Sequence, residues 1–598
     1  MDKQSPHLLL RVSTPTKQGL TFCDATPRDL KRWIAGLPKA NIGETARQLY
    51  QALIELNQLL TSSDNRLQLL ELLRPEVYFV CQHLERHFLN QAIVLDERPR
   101  KVANLCQALQ NHLAIGYKLI VSRLASQPNR ERNQLFGIAL QRAVHSLNGP
   151  LIRTSQLYCP VPEGLWLELH QLYLIARQQN LHKVVIRDPL ARHTQGLSVE
   201  QSYIVALLIG CSRCNQMRQS AISRLAEALE PWSTLVNLQA GGHPSSIFAV
   251  APQLDGPLRY TSLFQPSELQ GALGIDPTRL VDTIKDHLQL LPEERSRSRL
   301  QVPDGFTVDM LQHAAAAWGD ISERTFQRTQ GTGNMTLCIG MSALNYYLAN
   351  GRVFSEILKQ PLKTTASFKP VSSEPDIWSS AHDAQRINDW ENGFPFEEIE
   401  YPKPAEEQPA SAAGESYPSY ALSIVNHSPG GYCLSWPKEV PNQLQAGELL
   451  GIRDNPQQGW SVAVVRWIRQ VRGGGTQMGI ELIAPYAQSC GLQLVRKAEQ
   501  NSQYLRALLL PEIAAISRPA TLITPRLPFQ EGSKVMINAN GKEHRAVLGK
   551  KQTSTSSFSQ FEYHDLEQKT PDHATSVTAS GTHRPAGEED FDSLWKSL

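Results

Sequence analysis

Arg324-Thr325-Phe326-Gln327-Arg328 sets two guanidiniums four residues apart. Each guanidinium is a planar fork that bonds phosphate oxygens or the O6/N7 edge of guanine in pairs and stacks on a base. Arg295-Ser296-Arg297-Ser298-Arg299 has the same spacing, but its alternation with serine reads as an exposed basic strand or loop. A hundred residues further on, Asn426-His427-Ser428-Pro429-Gly430-Gly431 gathers residues that each favour turns for local reasons, so a plain tight turn is one reading of it. Arg324 and Arg328 likewise admit a plain reading as exposed charges one helical turn apart. Cys211-Ser212-Arg213-Cys214 lacks the second pair or the histidines of a zinc site and the βαβ context of a redox motif, and reads as two buried helix cysteines. No phosphate-loop, Gly-x-Ser-x-Gly or His-Glu-x-x-His pattern is present, and nothing in the sequence argues for an enzyme.

The elements around the hexapeptide narrow its reading. Ala421–Val425 alternates as a strand before it. Tyr432–Trp436, Glu448–Ile452, Trp460–Ile468 and Met478–Ile483 follow, short and rich in β-branched and aromatic residues, with Gly, Pro and Asn between them. That is the pattern of a small antiparallel barrel or sandwich. Asn-x-Ser-x-x-Gly leaving a first strand resembles the signature of PilZ domains, bacterial receptors for cyclic di-GMP. Val462–Trp467 and the Gly-rich turn before Met478-Gly479-Ile480-Glu481-Leu482 are similar to the rest of that domain. The resemblance spans mainly residues 419–485.

The resemblance implies a ligand and a site. PilZ receptors wrap cyclic di-GMP between an Arg-x-x-x-Arg segment and the Asn/Asp-x-Ser-x-x-Gly surface. Asn426 and Ser428 would then bond its guanine or phosphate side, and Gly431 would let the backbone come close. This chain departs from the pattern in one respect: the nearest arginine upstream of Asn426 is Arg386, and no Arg-x-x-x-Arg lies in the few dozen residues before the hexapeptide. Arg324 and Arg328 are the preferred pair and Arg295 and Arg299 the second choice; a degenerate domain without nucleotide binding is the remaining reading. Arg324 and Arg328 reach the barrel only if the strand after them belongs to it and the acidic stretch between is looped out. Loop closure grows slowly with length, so such an insertion is permitted.

The rest of the chain sets the context. At 598 residues it is too long for one core, and 41% hydrophobic with 19% charged residues is an ordinary globular mixture. A net charge of +2 gives no basic footprint for bulk nucleic-acid binding. An RNA-binding barrel with Arg466, Arg469 and Arg472 as a basic edge is a rival reading, but it lacks an evident aromatic platform. No apolar run is long enough to span a bilayer, Leu8-Leu9-Leu10 is cut short by Arg11, and nine scattered cysteines suit reduced thiols; the expectation is a cytoplasmic protein.

The expected architecture is multidomain α plus β. Residues 1–26 form an extended lead-in. An all-helical domain covers 27–230, where Thr26 caps and Pro27 opens the first helix and Leu49, Leu53, Leu56 and Leu60 mark an apolar face. Mixed strands and helices with the Arg-x-x-x-Arg segment fill 232–352. An acidic, disordered insertion takes 353–418, the PilZ-like barrel 419–495 and further strands 496–550, with Asn540-Gly541 as a hairpin turn. A disordered tail takes 551–598. The expected function is a cyclic di-GMP-binding effector without enzymatic activity, cofactor or metal. It would turn nucleotide binding into altered contact with an unidentified protein partner, in motility, pili or surface behaviour. A PilZ-like scaffold that binds no nucleotide is the alternative.

Overall fold

The computed structural model describes residues 10–126, 130–191, 194–319, 327–359, 416–437, 439–473, 475–495, 503–512 and 519–566. Most of the expected insertion, most of the expected tail, and Arg324 lie outside them.

The helical part comprises α1 (Pro27–Ala35), α2 (Ile42–Gln58), α3 (Ser63–Glu85), α4 (Glu97–Ser126), α5 (Asn133–Gln156), α6 (Leu165–Gln178), α7 (Val199–Cys211) and α8 (Gln219–Trp232), with a two-residue ribbon, β1 (Ile186–Arg187) and β2 (Gly196–Leu197), between α6 and α7. Their starts are chemically marked. Thr26 Oγ1 accepts from the amide of Asp29 at 3.2 Å, with Pro27 in the first turn, and Ser198 and Gln201 form a reciprocal capping box on α7. Leu49, Leu53 and Leu56 are fully buried, as the spacing requires. Leu60 is not on that face: α2 stops at Gln58, Leu60 is 50% exposed, and its amide turns back to the carbonyl of Lys17. The stop is chemically supported, since the buried guanidinium of Arg66 on α3 donates to the carbonyls of Leu56 and Leu59 left over at the helix end.

A four-stranded antiparallel sheet follows, in the order β3 (Asn237–Ala240), β6 (Leu273–Asp276), β4 (Phe248–Val250), β5 (Arg259–Tyr260). The short α9 (Pro266–Leu269) precedes β6, and α10 (Thr278–Gln289) and α11 (Val308–Gly319) come after it.

Two barrels complete the fold. The first is assembled from two distant pieces of chain. β8 (Asn334–Ile339) pairs on one side with β9 (Tyr420–Ser428) and on the other with β11 (Leu449–Arg453). β12 (Ser461–Gln470), β13 (Thr476–Ala484) and β10 (Gly431–Trp436) continue the ring, and β10 closes it on β9. The strand after the Arg-x-x-x-Arg segment is thus a stave of the barrel. Residues Leu337, Leu434, Leu450, Val465 and Met478 fill the interior, fully buried, in one continuous apolar core with the helices.

The second barrel is contiguous in sequence. It runs β14 (Gln488–Leu494), β15 (Leu505–Leu510), β16 (Thr521–Pro525), β19 (Phe558–Asp565), β18 (Lys542–Ser554), β17 (Lys534–Ala539), closing back on β14. Asn540 and Gly541, at φ 55° and 81°, make the expected two-residue hairpin between β17 and β18. The barrel also corrects two expected boundaries. Strands continue past 550 to Asp565, because Phe558 packs into the cluster between the two barrels while Phe561, three residues on and so on the opposite face, packs into the core of the second barrel. On the other side, α13 (Phe354–Leu358) lies inside the stretch expected to be an insertion. It packs on the second barrel, where the side chain of Asn538 donates to the carbonyl of Leu358. Helix α12 (Gly340–Leu348) wedges between the barrels, and its Asn345 donates to the carbonyls of Cys490 and Ala507.

Candidate functional site on the outer face of the first barrel

The hairpin β9–β10 turns through Pro429-Gly430, with Ser428 directly opposite Gly431 and Asn426 opposite Cys433. Successive residues of a strand face opposite sides. Leu434 and Trp436 point into the barrel with the other core residues, so Cys433 and Gly431 stand on the outside beside Asn426 and Ser428. An extra residue in β9, Val425, shifts the register at this place. Gly431 has no room for a side chain: a Cβ there would lie 2.0 Å from the carbonyl oxygen of Ile480 on the neighbouring strand.

The short edge strand β7 (Thr329–Gln330) brings Arg328, the last residue of the arginine segment, onto this face. It pairs antiparallel with β9, Thr329 opposite His427 and Gln330 opposite Asn426. Arg328, exposed, is the residue before Thr329, and the same register runs on toward Ser428. The structure therefore brings Arg328, Asn426, Ser428 and Gly431 to one place, although 98 positions separate Arg328 from Asn426. Arg324 falls outside the described residues. Arg295 and Arg297 sit in a 3₁₀ turn after α10, where Arg295 donates to the carbonyl of Leu290.

Neighbouring strands extend the surface. A bulge in β12 gives Arg466 no partner of its own between Val465 and Trp467, so Trp467 falls opposite Gly479 of β13. The indole lies directly over Gly479, where a Cβ would come within 1.9 Å of its Nε1. Arg469 stands 5.3 Å from the Trp467 ring centroid and bonds the side chain of Gln477. Burial pushes the Cys433 thiol up, and the charges of Arg469 and Arg328 draw it back down; both guanidiniums therefore act on this one patch. Trp467, Gly479 and Cys433 were not singled out from the sequence. The signal available was the Val-Val-Arg-Trp run, whose broken alternation marks a bulge.

The basic edge of the rival RNA reading is largely committed elsewhere. Arg466 pairs with Glu481 at 2.6 Å, and Arg472 donates to the carbonyl of Val161 in the helical part. On the inner side of the same hairpin, Tyr432, with the His427 ring 6.3 Å away, borders the mouth of the barrel, a cavity of about 280 Å³ that Met335, Ile452, Arg453 and Asp454 also line. There burial and the charge of Asp454 push the Tyr432 hydroxyl up to about 12, and burial raises Asp454 against the pull of His427.

The helical part holds a dense charged cluster in which buried charges pair with one another, although the Nε of Arg74 has no hydrogen-bond partner among the described residues. Arg74 donates both terminal nitrogens to Asp188 at 2.7 Å, and Arg142 reaches the same carboxylate at 3.2 Å. Burial would raise Asp188, but the hydrogen bonds and charge of Arg74 hold it well below the usual carboxylate range. Cys211 ends α7 half-buried and Cys214 is buried in the following 3₁₀ turn. Among the described residues no group of three His, Cys, Asp or Glu is placed to hold a metal ion, and no helix is long and apolar enough to cross a membrane.

Comparison with known proteins accounts for nearly the whole described chain. Residues 28–244 match the family described as the N-terminal domain of the cyclic-di-GMP receptor FimW, residues 247–489 its middle PilZ domain, and residues 490–566 the FimW C-terminal beta-barrel domain. The cyclic-di-GMP receptor FimW of Pseudomonas aeruginosa is 64% identical over 609 residues, covering all of both chains. No solved structure matches.

Proposed function

The chain belongs to the FimW family of cyclic-di-GMP receptors, and from that premise we propose that it binds cyclic di-GMP on the outer face of the first barrel. Arg328, with Arg324, grips phosphate or guanine edges; Asn426 and Ser428 supply hydrogen bonds; Gly431 keeps the strand low enough for the ligand to approach. The observation that supports this reading is the pairing of β7 with β9, whose register leads from Thr329 back to Arg328 beside Ser428.

The proposed output is a change in protein–protein contact, in pili, motility or surface behaviour. Its physical route is β12. One face of that strand carries Trp467 and Arg469 beside the ligand surface. At its end, the Gln470 amide group donates to the carbonyls of Ile93 and Leu157, and the Gln470 backbone to Tyr158. A ligand that prefers one docking of this hairpin over another shifts that equilibrium by its difference in affinity for the two.

Titration calorimetry of the full chain with cyclic di-GMP tests the reading. Micromolar or tighter binding is expected, weakened about tenfold or more in Ser428→Ala and in Arg324→Ala/Arg328→Ala. Weakening in Ser428→Ala alone would keep the receptor and reject the arginine assignment. No binding by the folded protein would leave a PilZ-like scaffold.

A further inference from the structure

The helical part holds a cavity of about 530 Å³, with α5 as its floor and α3 and α8 as its walls. Small-ligand sites fall in the range of about 300–1,000 Å³. Its lining on α5 recurs at helical spacing, from His145 through Asn148 and Ile152 to Gln156, a run of about 16 Å. One end is tied across all three helices. The Tyr78 hydroxyl meets His145 Nδ1 at 2.8 Å, and His145 Nε2 meets Glu230 at 3.3 Å. Arg74, a donor only, also reaches that Nδ1, so Nε2 carries the proton given to Glu230. The other carboxylate oxygen of Glu230 has no partner among the described residues.

Toward the opposite end, the Gln156 side chain donates to Ser223 at 2.7 Å, and Arg153 joins the lining. Arg153 is 4% exposed, and its hydrogen bonds go to the neutral amides of Gln107 and Gln110. Among the described residues no carboxylate pairs with it, and its Nε has no partner. A buried guanidinium without a counter-ion is costly, and an occupant's carboxylate would supply one. The buried side-chain oxygen of Asn148 also lacks a partner, and it suits an amide N–H. Phe79, Ile152 and Ala226 add apolar walls. Glu85 and Glu227 border the cavity as well, so carboxylates outnumber guanidiniums on its lining and a phosphate is a poor occupant.

We propose that this cavity binds a short zwitterionic peptide, with its carboxylate on Arg153 and its ammonium on Glu230. His145, which holds Glu230, and Arg153 are eight positions apart on α5. That is about 12 Å along the helix, the span of three to four extended residues. A free amino acid is too short to reach both ends, and a peptide blocked at both termini lacks both charges. The site would give the receptor a second input. Gln156 is followed directly by Leu157 and Tyr158, whose carbonyls accept from Gln470 of β12. An occupant would therefore border the contact that ties the barrel hairpin to the helices. The cavity shares no residue with the outer face of the barrel, so it stands whether or not cyclic di-GMP binds there.

The test is calorimetry of the full chain with trialanine, alanine and N-acetyl-trialanine amide, on wild type, Arg153→Met, Glu230→Gln and Ser428→Ala. Trialanine should bind wild type and Ser428→Ala alike and bind each of the other two variants about tenfold or more weakly, as loss of a charge-assisted hydrogen bond implies. Alanine and the blocked peptide should bind far more weakly than trialanine. Melting separates a ligand role from a structural one. Arg153→Met should keep or raise the melting temperature, because it removes a buried charge that has no counter-ion. Glu230, only partly buried, carries the test if Arg153→Met does not fold. The proposal is overturned if trialanine does not bind the folded wild type, if Glu230→Gln and a folded Arg153→Met titrate like wild type, or if alanine or the blocked peptide binds as tightly as trialanine.

Discussion

The two barrels have the same strand count and the same antiparallel closure, yet they are tied into the molecule differently. The interior of the first is one apolar core with the helices, so Leu434 and Met478 belong to the same packed body as Leu49 or Leu172. The second has a core of its own, around Leu492, Leu522, Val535 and Phe561. A third cluster, including Leu344, Val462, Leu508 and Phe558, joins the barrels. The difference teaches where a signal can travel. Packed interiors transmit displacement, so a change at the first barrel is felt in the helices, whereas the second barrel can yield alone.

Core truncation gives the largest test of that contrast. Leu434→Ala and Leu492→Ala each remove a fully buried side chain, and each should destabilise by about 2–5 kcal/mol. Hydrogen exchange should quicken through the helices for Leu434→Ala and only within residues 488–565 for Leu492→Ala. Matching exchange maps would break the comparison.

Acid should divide the molecule along the same line. Burial lowers His170 to about 4, against an ordinary value near 6.5. Its Nδ1 meets the Tyr203 hydroxyl at 2.7 Å and its Nε2 the Gly256 carbonyl at 3.0 Å. The unfolded chain takes up a proton between those two values while the folded chain does not. Stability is therefore full above about pH 6.5 and falls as pH drops toward 4, by on the order of 3 kcal/mol. Melting followed by the helical signal should show this slope, and His170→Gln should flatten it.

The ties between the parts come next. Arg218 of the helical part reaches Glu448 and the carbonyl of Ala446 on the first barrel and Ser557 on the second, and burial lowers its pKa. Arg218→Met should cost about 1–3 kcal/mol, because it leaves a half-buried carboxylate short of a partner. Limited proteolysis should then release the second barrel sooner than in wild type.

The smallest effect sharpens the ligand side of the contrast. Ser428→Ala should weaken cyclic di-GMP about tenfold or more, the worth of one hydrogen bond to a charged group, without moving the melting temperature. Ser489→Ala in the second barrel should leave that affinity unchanged.

The sequence made much of this legible, and its failures have physical causes. Capping chemistry and leucine spacing showed α1 and α2, although Leu60 kept the helical spacing after the chain had already turned. The staves β9 to β13 were readable from alternation. The membership of β8 was not, because no local pattern says that Asn334–Ile339 pairs with a strand some 80 residues later. Only the Arg-x-x-x-Arg spacing hinted at it. On the site, the turn residues announced Asn426, Ser428 and Gly431. Trp467 over Gly479 stayed hidden, since the contact depends on a bulge and a cross-strand register. β19 was missed because Ser, Thr and Gln crowd its flanks, while Phe558 and Phe561 supply all of its deeply buried apolar surface.

That one stave arrives from far upstream has an engineering consequence. A cut anywhere between residues 359 and 416 would divide the protein into two polypeptides. The first would end with β8, α12 and α13, and the second would begin just before β9. Neither would own a complete first barrel, because β8 must be flanked by β9 and β11 from the other piece. The molecule is thus a natural design for fragment complementation, in which reassembly of the ring reports that the two halves have met.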